Sequence, residues 1–90
     1  MVVMLPSPTR ITVLYFAAVR DARGTDREEL TLPDGVATIS DLATLLERLH
    51  AGLTGRLSGV RYAINEEFVD ERAQLRAGDV VAVIPPVSGG

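Results

Sequence analysis

The sequence contains no cysteine, no tryptophan and no lysine, and all nine of its basic residues are arginine. Without thiols, a disulfide scaffold, a cysteine-ligated zinc site, an iron–sulfur cluster and side-chain thiol chemistry are excluded. Without lysine, Schiff-base catalysis and a phosphate-loop lysine are excluded too. Aromatic side chains are scarce, at two Phe and two Tyr, too few for a base-stacking platform. A formal net charge of −3 and a pI near 5.0 lack the basic footprint of a general nucleic-acid binder. No apolar run approaches the ~18 residues a membrane span needs. The opening Met1-Val2-Val3-Met4-Leu5 is apolar but has no basic flank and meets Pro6 and Pro8 at once, so it does not read as a signal peptide. The expected location is the cytoplasm, with neither nucleic acid nor membrane as a partner.

What is present suffices for one small domain. Ninety residues, 47% apolar and 23% charged, sit at globular averages and support a single core. Residues 1–9 read as a flexible N-terminal arm, 10–84 as the folded domain, and 85–90 as an extended tail. Arg10–Ala17 is rich in β-branched and aromatic residues and reads as the first strand. Val19–Arg23 is a short helical turn stopped by Gly24. Glu28–Leu32 is a second strand closed by Pro33-Asp34-Gly35. Thr38-Ile-Ser-Asp41 fits a capping pattern, and Ile39, Leu42, Leu46, Leu49 and Leu53 recur on one helical face. The main helix is therefore expected from Ile39 to about His50. Gly52, Gly55 and Gly59 mark an irregular, mobile connection. Arg61–Ile64 and Phe68-Val69 flank a turn at Asn65-Glu66-Glu67, and Val80–Ile84 is a buried-type final strand. The order β-β-α-β-β-β, with one main helix on one face of a mixed sheet of four to five strands, is an α+β, β-grasp (ubiquitin-like) arrangement. Its first and last strands should lie centrally and side by side, because they carry the most apolar residues.

Strand parity then divides the apolar residues. Ile11, Val13 and Tyr15 share one face of the first strand, and Thr12, Leu14 and Phe16 the other. In the last strand Val81 and Val83 oppose Val80, Ala82 and Ile84. One helix covers one face only. Either Leu14/Phe16/Ala82/Ile84 or the opposite set should stay exposed as a partner surface, unless the 51–60 connection covers it.

The final residues Pro85-Pro86-Val87-Ser88-Gly89-Gly90 carry the strongest chemical signal. The proline pair lacks amide donors and favours an extended, projecting chain. Gly89 and Gly90 leave the terminal carboxylate sterically open, shaped for insertion into another protein's active site. That group is anionic at neutral pH and can attack a nucleotide α-phosphate. His50, the single histidine, fits a cation at a helix end better than a metal ligand. No metal site is expected. Glu66-Glu67 and Asp70-Glu71 read as solvated acids or as attraction for a basic partner, and Asn65 as a turn residue tolerating positive φ.

The segment Gly78-Asp-Val-Val-Ala-Val-Ile-Pro-Pro-Val-Ser-Gly-Gly90, the opening Val13-Leu-Tyr-Phe-Ala-Ala-Val-Arg20 and Tyr62-Ala-Ile-Asn65 together resemble the small, sulfur-carrier subunits of molybdopterin synthase and their ubiquitin-like relatives. The resemblance runs from about Arg10 to Gly90. It implies a chain that carries a group without catalysing. An E1-like adenylyltransferase would use ATP to adenylate Gly90. A sulfur donor, such as a cysteine desulfurase or rhodanese-like protein, would convert the adenylate to a thiocarboxylate. The tail would then deliver sulfur to cyclic pyranopterin monophosphate in the large subunit, within a 2:2 heterotetramer. No cofactor would be bound to this chain. The resemblance also places Leu14, Phe16, Ala82 and Ile84 on the partner-facing side, with Arg20 able to pair with the activating enzyme, although the residue pattern alone reads Arg20 as solvated. Other readings remain open: a sulfur carrier for thiazole, cysteine or tRNA thiolation, a ubiquitin-like protein modifier joined through Gly90, or a plain binding module.

Overall fold

The computed structural model describes residues 8–86. Strand β1 (Arg10–Tyr15) leads into helix α1 (Ala17–Arg23) and strand β2 (Arg27–Thr31). Helix α2 (Ile39–Leu49) and a 3-10 turn (Ala51–Leu53) follow, then strands β3 (Arg61–Ile64), β4 (Glu67–Val69) and β5 (Val80–Ile84). The sheet order is β2-β1-β5-β3-β4. β1 and β5 pair in parallel, with Val13 beside Val81 and Tyr15 beside Val83. The other three pairings are antiparallel. This is the β-grasp arrangement, with the first and last strands adjacent as expected.

Alternation places Ile11, Val13, Tyr15, Val81 and Val83 on the face that α2 covers, and each is at most 2% exposed. Ile39, Leu42 and Leu46 of α2 are fully buried against them. The helix starts where the capping pattern predicts. Thr38 Oγ1 accepts from the Asp41 amide, and Asp41 Oδ2 accepts from the Thr38 amide. Backbone donors from Ala37 and Thr38 hold the Asp41 carboxyl below the usual carboxylate range.

The apolar run 39–53 does not form one helical face. The chain leaves helical geometry at His50 (φ −128°, ψ 101°), so Leu53 reaches the core from the 3-10 turn while Leu49 stays half exposed. The 51–60 connection is ordered around two buried leucines, Leu53 and Leu57, and joins the core on the helix side. Gly52 lets this turn approach α1, for a Cβ there would sit 2.5 Å from the Ala22 carbonyl oxygen. The second strand runs one residue earlier than its sequence pattern suggests, and Leu32 follows it into the core with its amide donating to the Thr9 carbonyl.

A polar node closes this layer. Glu28, opposite Val13 on β2, accepts from Tyr15 Oη (2.5 Å) and Arg23 Nη2 (2.7 Å), and His50 Nε2 lies 2.7 Å away. The His50 side chain thus serves Glu28 rather than the helix end. Burial opposes the Glu28 charge, but the bonds from Arg23, Tyr15 and His50 outweigh it and hold the carboxyl below its ordinary range. Burial, with Glu28 adding to it, pushes the Tyr15 hydroxyl well above its own range.

Two outcomes are expected. Because the folded Glu28 carboxyl is the stronger acid, its contribution is complete above the unfolded pKa near 4.3 and is lost as pH falls through the folded value. Glu28→Gln should therefore flatten the acid limb of stability and cost about 1–3 kcal/mol at neutral pH, read by denaturant unfolding at several pH values. At the β3–β4 turn, Asn65 and Glu66 both have positive φ (50° and 73°), the geometry that favours Asn-Gly. Glu66→Gly should raise stability by about 0.5–1 kcal/mol in the same assay.

Candidate functional site

The face of the sheet away from α2 carries no covering element among the described residues. Cross-strand register builds a row on it: Leu14 pairs with Ala82, Ala82 with Ala63, and Ala63 with Phe68. Two alanines in the middle make a shallow trough, walled by Leu14 on one side and Phe68 on the other. Ala63 is only 6% exposed because its larger neighbours shade it, whereas Phe68 is 60% exposed. A second row lies nearer the end of β5, where Ile84 pairs with Arg61. The Arg61 guanidinium sits 4.4 Å from the Phe68 ring centroid, a cation–π contact that holds both side chains over the trough.

Phe16 joins this second row. It continues the extended conformation of β1 (φ −122°, ψ 149°), and its amide donates to the Val83 carbonyl. Ala17 then takes a left-handed conformation (φ 50°), which turns the chain sharply into α1. Phe16 is left 44% exposed at the rim. Its carbonyl accepts from the Val19 and Arg20 amides, so Arg20 begins one helical turn beyond it. The Arg20 side chain is exposed and its Nε lies 3.8 Å from Asp21 Oδ1, a weak surface pair.

Of the residues expected at a partner surface, Leu14, Phe16, Ala82 and Ile84 therefore come together on one face, with Arg20 at its rim. Pro85 is half-buried and Pro86 exposed where the chain leaves this same end of β5. Val87, Ser88, Gly89 and Gly90 lie outside the described residues, as do residues 1–7 of the arm. Phe68, Ala63 and Val80 extend the patch, and of these sequence reasoning missed Phe68 and Ala63. Parity already put Val80 there. Phe68 and Ala63 needed the β3–β4 register, which the positive-φ pair at Asn65 and Glu66 sets.

Asn65 also ties that hairpin to the start of β5. Its Nδ2 donates to Asp79 Oδ1, its Oδ1 accepts from the Val80 amide, and its own amide donates to the Val80 carbonyl. A turn role explains only part of this residue.

On the helix side a cleft of about 870 Å³ lies between α2 and residues 55–62. Tyr62 lines it with a hydroxyl that is buried and unpartnered among the described residues. Burial, with the nearby Glu47 charge, pushes that hydroxyl up to about 12. It stays protonated at neutral pH and does not serve as a base. Among the described residues no group of three or more His, Asp or Glu side chains converges as a metal site would require, and no helix is long and apolar enough to cross a membrane.

A sequence profile of the ThiS family matches residues 13–90. The chain belongs to the ThiS family. A molybdopterin synthase sulfur carrier subunit from Chlamydomonas reinhardtii is 37% identical over 83 residues, covering 90% of this chain and 99% of the relative. The crystal structure of SAMP1 from Haloferax volcanii superposes with a TM-score of 0.78 at 27% identity, over 90% of this chain and 99% of that one. A chain of the complex of subunits 1 and 2 of the molybdopterin-converting factor from Helicobacter pylori shares the fold, with a TM-score of 0.67 at 23% identity over 91% of this chain and 100% of that one.

If the bare face is a docking surface, Phe16→Asp and Phe68→Asp should each weaken binding to a large-subunit partner by at least about tenfold while leaving unfolding midpoints nearly unchanged. Burying an unpaired charge in an interface costs several kcal/mol. Val13→Asp, on the core face, should instead unfold the chain. Titration calorimetry and thermal melts read both, and normal binding by the Phe16 and Phe68 variants would sink the assignment.

Proposed function

We propose that this ThiS-family chain is the sulfur carrier of a molybdopterin synthase, reacting through the carboxyl group of Gly90. The observation that carries the reading is continuity. The apolar trough and the root of the Pro85–Gly90 tail share the end of β5, so seating Ile84 and Phe16 on a partner aims the tail at one fixed place. Prior docking lowers the ordering cost of a chain end that must enter a closed site.

The chemistry needs nothing from this chain but that end. On an E1-like adenylyltransferase the Gly90 carboxylate attacks the α-phosphate of ATP, and pyrophosphate leaves. The terminal sulfur of a persulfide on a donor protein of the cysteine desulfurase or rhodanese type then displaces AMP to give an acyl disulfide. A second thiol reduces its S–S bond, releasing the thiocarboxylate and leaving a disulfide on the donor side. In the large subunit that sulfur passes to cyclic pyranopterin monophosphate, and Gly90 returns as a carboxylate. With no cysteine in the sequence, a transferable sulfur has no other covalent place on this chain. The active site belongs to the large subunit, in a 2:2 assembly, and the chain works in the cytoplasm as a donor rather than a catalyst. The name of the Chlamydomonas relative and the bare apolar face at the root of the tail support this reading.

A second reading, a protein modifier joined to lysines through Gly90, draws on the likeness to SAMP1. The two diverge in product. Incubation with ATP, an activating enzyme and a sulfur source should exchange one oxygen of the chain for sulfur in the intact mass. Addition of the large subunit and cyclic pyranopterin monophosphate should restore the original mass. Removing Gly90 should abolish both changes with the melting curve intact. Isopeptide-linked adducts in place of a thiocarboxylate would favour the modifier, and full sulfur transfer without Gly90 would overturn both.

A further inference from the structure

The bare face of the sheet is charged unevenly. Register and alternation put Arg10 of β1, Arg27 and Glu29 of β2 and Arg61 of β3 at its strand positions, three arginines against one glutamate in a chain whose formal net charge is −3. Arg10 and Glu29 answer one another at 3.6 Å. Arg27 and Arg61 are exposed and make no ion pair among the described residues. On the helix side the balance is reversed, with Glu47, Asp70 and Glu71 lining the cleft beside α2.

The two free arginines stand at opposite ends of the apolar trough. Arg27 pairs across with Leu14, one wall. Arg61 pairs with Ile84 and lies over Phe68, the other wall, its guanidinium 4.4 Å from the ring centroid. Strands β2 and β3 are separated by β1 and β5, which puts the two positions about 15 Å apart. That exceeds the Debye length of about 8 Å at physiological salt, so the two charges act separately. Their surroundings differ. A partner that covers Ile84 and Phe68 also covers the guanidinium beside them and strips its water. A desolvated cation is costly unless an acceptor replaces that water. With Phe68 against its flat side, Arg61 keeps its N–H edge for a planar carboxylate with two oxygens. Arg27 sits on the edge strand, beyond Leu14, and stays wet when the trough is filled.

We infer that this face selects a partner protein whose apolar ridge is flanked by carboxylates, with Arg61 and Arg27 as the specificity-determining cations. The inference deepens the docking reading and rests on it, and the partner it describes is the large subunit. One carboxylate of that subunit meets Arg61 inside the covered area, and an acidic rim faces Arg27. A nucleic acid or an anionic bilayer fits less well, because the chain's net charge of −3 repels phosphate and only these two cations are free on the face.

The test measures association and dissociation rates of the cognate large subunit by surface plasmon resonance, at ionic strengths of about 0.01 and 0.15 M. The chains compared are wild type, Arg61→Gln, Arg61→Lys, Arg27→Gln, the double Gln variant and Arg48→Gln. Arg48 is exposed on α2, on the other side of the sheet, and its loss makes the same change in net charge. Arg61→Gln should speed dissociation about tenfold with association nearly unchanged, since it strands a buried carboxylate of the partner. Arg61→Lys, which keeps the charge, should dissociate more slowly than Arg61→Gln. Arg27→Gln should slow association about threefold at the lower ionic strength and less at the higher. The double variant should combine both effects, and Arg48→Gln should match wild type. Melting curves should nearly coincide throughout. Wild-type rates for Arg61→Gln and Arg27→Gln overturn the inference and leave the docking reading standing. An equal effect from Arg48→Gln, or no recovery in Arg61→Lys, also overturns it, because net charge or packing would then explain the loss. Binding to phosphatidylglycerol vesicles that the double variant loses overturns it in favour of a bilayer. No binding of wild type to the large subunit overturns the docking reading, and the inference with it.

Discussion

Strand β5 reads Val80-Val-Ala-Val-Ile84 and pairs with β1 on one side and β3 on the other, so both of its edges are engaged within the sheet. A strand in that position has only its two faces left to interact through. One face, at Val81 and Val83, is sealed by α2 with no measurable exposure. The other, at Val80, Ala82 and Ile84, is left to solvent or to a partner. Because β5 is also the last strand, the tail departs from the middle of the sheet rather than from an edge. The surface patch and the root of the tail at Pro85 are thereby carried by one strand that backbone hydrogen bonds hold on both edges.

The rest of the fold keeps the two faces distinct. All the covering elements gather on one side. α2 lies across the core face, α1 packs through Val19, and the 3-10 turn brings in Leu53. Glu28 joins strand, helix and turn through Tyr15, Arg23 and His50, in a position where a single unpaired charge would be expensive. On the opposite side the fold spends small residues in the centre, Ala63 and Ala82, and large ones at the margin, Leu14, Phe16 and Phe68. A complementary ridge on a partner would fit that relief better than a flat surface would.

Much of this was legible in the order of residues. The strand–strand–helix–hairpin–strand succession, the capping pair Thr38 and Asp41, the glycine stop at Gly24 and the turn at Asn65 are all local signals with local causes. The two alternating faces of β1 and β5 were legible for the same reason, since side-chain parity is a property of extended backbone alone. Periodicity extends the helical face too far at Leu53, because an apolar pattern persists in sequence after the chain has stopped being helical, and Leu49, the last residue of α2, stays half exposed. His50 was read against its own helix end, and its actual partner, Glu28, is 22 residues away.

The sequence by itself determined the element types and the two candidate faces, and it supplied the Gly89-Gly90 pair and the lack of thiols on which the proposed chemistry rests. Local conformational preference and side-chain inventory decide those things, and they do not depend on distant contacts. Which of the two faces is covered, that Phe68 and Ala63 complete the bare one, and that Arg61 sits beside Ile84 at the root of the tail were decided by tertiary structure. Each depends on a pairing register between residues such as Arg61 and Ile84, 23 positions apart along the chain, and register is set by strand alignment rather than by any neighbour in sequence.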